Sequence, residues 1–404
     1  MRGCVGALAL AVPLAAAAFL GCRAEGRPKV VVLGIDGLHL PLLDRLVGEG
    51  ALPNFARLYR EGCVGAVLTS PAGLPPLSPR IWNSFATGQL PERHGITAWV
   101  GTDPNGARRL LSSHDRIVPA VWEIASANGR RVGVVNWLIT YPAEPVNGFI
   151  ISDRYLVLPA QRKAQAERVP LDRDESALVH PPELLRTLGR LRLSSSEYPP
   201  RTPEMAEAAD RDVFALAYAA LAEHPVDLLM IYTRSMDEIS HLRWNTHEPA
   251  NGEKNEHDDV VDFMRRFDDL LGDLLKHMGR RDHLIVLSDH GMQRNRSTGG
   301  LPGMHMSPET AKGVLILHGP RIRAAMRAHA TVTDITPTIL ELLAIPAAID
   351  MPGRAIAEAF APGFEPLPRR QLPYVRHVAG RGRGDASEAD GAALDRLKAL
   401  GYVQ

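Results

Sequence analysis

Three short apolar runs, residues 29–35, 227–232 and 283–287, each lead within a few residues to an acid: Asp36, Asp237 and Asp289. Continuous apolar runs of that length read as strands buried on both faces, and such strands belong to a mainly parallel sheet covered by helices. Open sheets of that kind build their sites beyond the carboxyl ends of the strands. Three acids delivered there from distant sequence predict one shared site. His241, His290 and His305 stand close to these acids in the chain. Carboxylates mixed with imidazoles and no thiolate fit zinc or a similar divalent ion.

Between the runs the apolar period changes. Leu42, Leu43, Leu46 and Val47 recur at helical spacing, a second helix follows over 53–58, and a unit over 121–137 passes from a helix ending before Gly129 to a strand at 132–135. Val260, Phe263, Met264, Phe267, Leu270, Leu271, Leu274 and Leu275 mark one face of a long helix that leads into the 283–287 strand. This alternation predicts a doubly wound α/β domain. Residues 154–202 lose the pattern, and only 181–191 read as a helix there. The stretch is expected to be a small cap insertion over the site, although a solvated loop has the same composition. From 364 onward strand character is lost again before a short helix at 392–400.

The chain has 404 residues, enough for one large domain, and its 46 Lys plus Arg balance 46 Asp plus Glu. No global field therefore recruits nucleic acid, and an anionic substrate must be drawn by the site itself. Arg2 precedes an apolar stretch, 5–20, that is short for a membrane span and has the size of a secretory h-region. Phe19, Leu20, Gly21 and Cys22 resemble a bacterial lipoprotein cleavage box. The expected layout is a lipoprotein-type signal peptide over 1–21, a linker over 22–28 after a lipidated Cys22, a catalytic domain over 29–363 carrying the 154–202 insertion, and a tail over 364–404. An uncleaved anchor or an ordinary signal peptide is the alternative. On this layout Cys63 is left alone, so an exported fold would stand on its core without an internal disulfide.

The segment from Ser78 to Gly88 reads as a short helix with Ser78 as N-cap, Pro79 at the first helical position and Gly88 as the stop. Capping alone would account for the serine. The same position lies at the positive end of a helix, beside free amides that favour phosphate oxygens, so cap and nucleophile can be one residue. Asp237 and His241 are four apart, which puts both on one face of a helix. Asp289 and His290 are followed by Gly291, where the chain can turn and present both side chains to one pocket. His305 lies beyond a Gly-rich loop. Singly, each of these has an ordinary structural reading, and their convergence carries the argument.

With those residues in view, the chain resembles the type I phosphodiesterase and nucleotide pyrophosphatase group of the alkaline phosphatase superfamily. The likeness spans 30–360; the Ser78 to Gly88 segment continues into Pro91, Glu92, Arg93, His94, Gly95 and Ile96, and Leu287 to Met292 is the most specific element. Asp334, Pro337, Thr338, Leu340, Leu343, Pro346, Asp350, Met351 and Gly353 resemble that family's C-terminal scaffold. The resemblance implies an alkaline phosphatase-like three-layer α/β/α sandwich with a mostly parallel central sheet. It also implies two zinc ions, with manganese or another divalent ion an alternative in one site. Asp237, His241 and His305 would hold one, and Asp36, Asp289, His290 and the Ser78 oxygen the other. Ser78 would attack phosphorus, and water would then release the phosphoserine.

Two departures bear on the substrate. The family's oxygen-binding Asn is missing where Thr97, Ala98 and Trp99 stand, and Pro79 has no amide hydrogen to offer a phosphate. Arg80 is the candidate cationic replacement. A sulfatase would need Pro two residues and Arg four residues after the nucleophile, where this chain has Arg80 and Trp82. A phosphomonoesterase, or a phosphonate or sulfate ester hydrolase, is the enzymatic alternative; a catalytically silent envelope binding protein is the alternative of another class. A small phosphoester, lipid or nucleotide is the expected partner, with membrane contact through the lipid anchor.

Overall fold

The computed structural model describes residues 29–70, 75–102, 106, 108–156, 175–194, 199–248, 257–297 and 300–371. The expected signal peptide with Cys22, and the helix expected at 392–400, lie outside the described residues.

Thirteen strands are present among them: β1 Val30–Ile35, β2 Cys63–Leu68, β3 Val100–Thr102, β4 Arg108–Leu110, β5 Val132–Val135, β6 Gly148–Ile151, β7 Val179–His180, β8 Leu228–Thr233, β9 His283–Leu287, β10 Gln293–Arg294, β11 Gly303–Met304, β12 Lys312–His318 and β13 Met326–Thr331. Nine form one sheet in the order β13-β2-β12-β9-β1-β8-β5-β6-β7, and β3-β4 and β10-β11 are separate two-stranded ribbons. In the large sheet β12 runs against β9 and β2, and β7 against β6, while every other neighbouring pair is parallel. Seven of the nine strands therefore point one way.

The helices are α1 Leu40–Gly48, α2 Pro53–Glu61, α3 Ser78–Thr87, α4 Pro91–His94, α5 Val121–Ala127, α6 Leu184–Leu188, α7 Pro203–Glu223, α8 Ser235–His247, α9 Asp259–Lys276 and α10 Ile335–Leu342. They cover both sheet faces. Val31, Leu33 and Ile35 of β1 pack with α1, α2, α7 and α9, whereas Val30 and Val32 pack with α3, α5 and α10. The alternation along one strand splits the core into two layers, as a three-layer sandwich requires. β1, β8 and β9 are buried at every position, which explains their uninterrupted apolar composition.

Long α9 buries the expected stripe from Val260 to Leu274, with Leu275 partly buried, and starts at Asp258, whose side chain accepts from the Val261 amide at 3.1 Å. The 181–191 expectation shrinks to α6, Leu184–Leu188, whose Leu184 and Leu188 are buried against the first core layer. Just before it, β7 adds to the edge of the sheet. Residues 157–174 and 195–198 of the expected cap lie outside the described residues.

The N-terminus of α3 also differs from expectation. Leu77 is the N-cap, with φ −126° and ψ 118°, and Ser78 is the first helical residue, with Pro79 following. Among the described residues no side chain caps this helix. Ile81 N–H closes the first turn on the Leu77 carbonyl at 3.1 Å, so the start lies one residue before the serine. Gly88 ends α3 in the left-handed region, φ 66°, as a glycine stop does.

Candidate active site

β8, β1 and β9 are adjacent and parallel, so their carboxyl ends open onto one rim. Asp36 follows β1 directly, Asp237 enters from the first turn of α8 just after β8, and Asp289 follows β9. The approach is close because Gly37 turns there at φ 72°: a Cβ on it would lie 2.8 Å from the Asp237 backbone and 2.9 Å from its Cβ. Any other residue would force β1 and α8 apart.

Asp36, Asp237, Asp289, His290, His241, His305 and Ser78 are all buried at this rim. His290 Nε2 lies 3.1 Å from Asp36 Oδ1, 3.4 Å from Asp289 Oδ2 and 3.8 Å from Asp237 Oδ1. His241 Nε2 is 3.3 Å, and His305 Nε2 3.8 Å, from the same Asp237 oxygen. The His290 and His305 rings stack at 3.7 Å. Ser78 Oγ donates to Asp36 Oδ1 at 3.4 Å and stands 3.5 Å from His290 Nε2.

Two groups of three could each hold a metal ion: Asp36, Asp289 and His290, and Asp237, His290 and His305, each with ligand atoms within 4.8 Å of one another. His290 belongs to both, whereas the sequence reading gave it to one ion and His241 to the other. The His241 ring stands beside the second group through its contact with Asp237.

The chemistry of the donors fits a divalent cation. Nδ1–H of His241 donates to the Gly303 carbonyl at 2.9 Å, and Nδ1–H of His290 donates to the Gly291 carbonyl at 3.0 Å. A carbonyl can only accept, so both rings turn Nε2 toward the carboxylates, the arrangement that presents a neutral imidazole to a metal. Asp289 Oδ2 is buried and accepts no hydrogen bond among the described residues. Burial raises the Asp289 carboxyl well above the usual range, and the neighbouring Asp36 charge raises it further. Burial also penalises a charged Asp237, yet His241, His305 and His290 outweigh it and hold that carboxyl below its usual range. Burial alone would lower His290, but Asp289, Asp36 and Asp237 push it up to about 10. Three acids around one dry ring demand positive charge.

Several contributors escaped the sequence reading. The Tyr232 hydroxyl, at the end of β8, donates to Asp36 Oδ2. Ser288 Oγ accepts the Leu38 amide at 2.9 Å and donates to the His290 carbonyl at 3.0 Å, tying the β1 and β9 turns together. Trp82 of α3 packs edge-on against Tyr232 at 4.9 Å and Trp137 at 5.1 Å, over Gly34, where a Cβ would sit 2.5 Å from its ring. That wedge seats α3, and with it Ser78, on the sheet. An aromatic residue in an apolar run reads as core, and only the fold turns Tyr232 toward an acid.

Arg80 donates from Nε to the Thr97 carbonyl at 3.0 Å, while its Nη1 is buried with no hydrogen-bond partner among the described residues. Burial lowers its pKa, and Glu92 offsets part of that. His94 Nε2 lies 3.0 Å from Ser84 Oγ, and its Nδ1 accepts the Ile96 amide at 3.1 Å. Arg80 and His94 thus fasten the 94–97 loop to α3.

The profile described as type I phosphodiesterase / nucleotide pyrophosphatase matches residues 30–338, more than half of the chain. No curated protein matches the sequence. Human ectonucleotide pyrophosphatase / phosphodiesterase 5 is structurally similar at 14% identity, over 82% of this chain and 98% of that one, with a TM-score of 0.53. The murine protein, as an inactive variant in complex with AMP, is similar at 14% identity over 86% and 98%, with a TM-score of 0.51. A mutant of alkaline phosphatase PafA aligns at 14% identity over 84% of this chain and 100% of its own, with a TM-score of 0.56. These likenesses bear on the fold, and the profile bears on the family. The chain belongs to the type I phosphodiesterase / nucleotide pyrophosphatase family and is a metal-dependent phosphoester hydrolase on an alkaline phosphatase-like fold.

Proposed function

We propose that this protein hydrolyses phosphodiesters or nucleotide pyrophosphates with two zinc ions, through a phosphoserine at Ser78. The observation that carries the reading is the place of Ser78 Oγ, 3.4 Å from Asp36 Oδ1 and 3.5 Å from His290 Nε2, at the start of a buried helix. Asp36, Asp289 and His290 would hold one ion with the serine oxygen, and Asp237, His241 and His305 the other. Bound there, zinc would favour the serine alkoxide and offset negative charge on the phosphoryl oxygens.

The chain's own groups supply the rest. Asp36 accepts the Ser78 hydroxyl hydrogen bond and orients Oγ for in-line attack on phosphorus. The P–O bond to the leaving group breaks as the Ser78 P–O bond forms, and water attacking from the vacated side restores the serine and releases phosphate or a phosphomonoester. The first turn of α3 brings a positive helix end toward the phosphoryl group, and burial of the ligand set keeps bulk water from screening it. Arg80 is the candidate cation for a substrate oxygen.

The AMP held by the murine neighbour favours a nucleotide substrate. A monoester preference is the second reading, supported by Arg80 in the first turn of the nucleophile helix and by the lack of the family's Asn. The apolar run at 5–20 and Cys22 support export and lipid anchoring. The test is turnover of zinc-loaded protein on bis-nitrophenyl phosphate, nitrophenyl phosphate, phenylphosphonate and nitrophenyl sulfate. The fastest rate is expected on the diester. Turnover of the sulfate alone, or of none of the four, would refute the reading.

A further inference from the structure

We propose that Asp210 is a positioning residue for the metal site: it caps, from a different helix, the helix that delivers Asp237 and His241. The inference rests on the two-metal reading above and adds to it a residue that is not itself a ligand.

α8 begins in the dry interior, where Ser235, Met236, Asp237 and Glu238 are all buried. The first N–H groups of a helix have no intrahelical acceptor, and an unmet buried donor costs about 1–3 kcal/mol. A helix usually solves this with its own N-cap side chain. Here the N-cap is Arg234, at φ −124° and ψ −8°, and it makes no side-chain capping bond. An arginine has no acceptor to offer.

The acceptor comes from α7. Asp210 is 1% exposed, and its Oδ1 accepts the Ser235 hydroxyl at 2.6 Å across 25 residues of sequence. Burial raises the Asp210 carboxyl to about 7, and the Ser235 hydroxyl, with the backbone amides of Ser235 and Arg234 beside it, offsets part of that, while Oδ2 accepts no hydrogen bond among the described residues. The positive end of the helix dipole offsets a further part of the penalty on a charged Asp210, and either protonation state leaves a carboxyl oxygen to accept the Ser235 hydroxyl. Asp210 belongs to neither candidate ligand group.

The consequence is geometric. Asp237 lies two residues beyond Ser235, and its Oδ1 is the atom that His241, His290 and His305 approach at 3.3, 3.8 and 3.8 Å. Rotation or lift of the first turn of α8 would move that oxygen before it moved any group on β1 or β9. Asp210 should therefore govern the ion at Asp237 and leave the ion at Asp36 and Asp289 in place.

The experiment is a graded chelator titration of the full-length zinc protein and of Asp210→Ala, Asp210→Asn and Ser235→Ala, reading bound zinc, kcat and KM. One zinc equivalent should weaken 10–100-fold in Asp210→Ala while the other keeps its wild-type affinity, the range usual for loss of an outer-shell partner. Turnover should fall through kcat with KM within about twofold, and Asp210→Asn, which keeps one acceptor oxygen, should be intermediate. Wild-type affinity at both sites with only a lower melting temperature would overturn the proposal, as would equal weakening of both. Should Asp210→Ala fail to fold, Asp210→Asn and Ser235→Ala decide by the same criteria. Wild-type protein that binds no zinc would overturn the two-metal reading itself, whereas two zinc ions held unchanged in the variants would overturn this inference alone.

Discussion

Asp36 is held on both of its oxygens, by Tyr232 on one and by Ser78 and His290 on the other. The tyrosine fixes which oxygen faces the serine. A hydrogen bond to a charged group contributes about 1.5–3 kcal/mol, so Tyr232→Phe, which keeps the ring between Trp82 and Trp137, should lower kcat/KM roughly 10–100-fold while the fold persists. Steady-state kinetics with circular dichroism as control would check this; unchanged kinetics would leave Tyr232 a packing residue. The acids and imidazoles of the site were legible because ionisable side chains at the ends of apolar strands have few other reasons to be there. Tyr232 was not legible, since its ring satisfies the apolar pattern and its hydroxyl acts only across the sheet. Ser78 shows the limit of a local signal: Ser before Pro predicts a cap, whereas Leu77 is the N-cap and Ser78 the first helical residue.

At the scale of elements, α1, α2, α9 and strands β1, β5, β8 and β9 could be read from periodicity alone, because each buries one stripe or a whole strand. The sheet order could not. β2 and β13 enter between and beyond distant partners, and a two-residue edge strand such as β7 is too short to show any period. The opposite end of β9 from the site carries a different constraint. His283 is 2% exposed, neither ring nitrogen has a hydrogen-bond partner among the described residues, and burial followed by the Arg321 charge lowers its pKa from 6.5 to about 4. The unfolded chain therefore binds this proton more readily than the folded one. The contribution of the neutral ring is complete above pH 6.5 and is lost as pH falls toward 4, amounting to at most about 3 kcal/mol. Denaturant midpoints between pH 7 and 4.5 should drop less in His283→Leu than in wild type. Parallel curves would remove His283 from the account of acid sensitivity.

For the whole molecule, the balanced charge of 46 against 46 leaves attraction of an anionic ester to the local field of one rim. All the candidate ligands lie there, at the carboxyl ends of β8, β1 and β9, although they come from positions 36 to 305 of the chain. The doubly wound sheet explains why so scattered a set could be recognised: the topology gathers strand ends that the sequence keeps apart. Among the described residues no helix is long and apolar enough to cross a membrane. The lipoprotein expectation rests on residues 1–22, and it predicts that intact mass of the membrane-bound protein shows a chain beginning at an acylated Cys22. A mature terminus elsewhere would refute lipidation without touching the hydrolase.

Covalent catalysis by Ser78 is tested most directly by an acid quench of zinc-loaded protein during turnover. Peptide mapping should find one substrate-derived phosphoryl group on Ser78, still carrying the retained ester when the substrate is a diester, lost in Ser78→Asn together with turnover, whereas Ser78→Thr should keep a measurable fraction of both because it retains a hydroxyl. Wild-type turnover in Ser78→Asn, with no phosphopeptide from the native enzyme, would contradict the account.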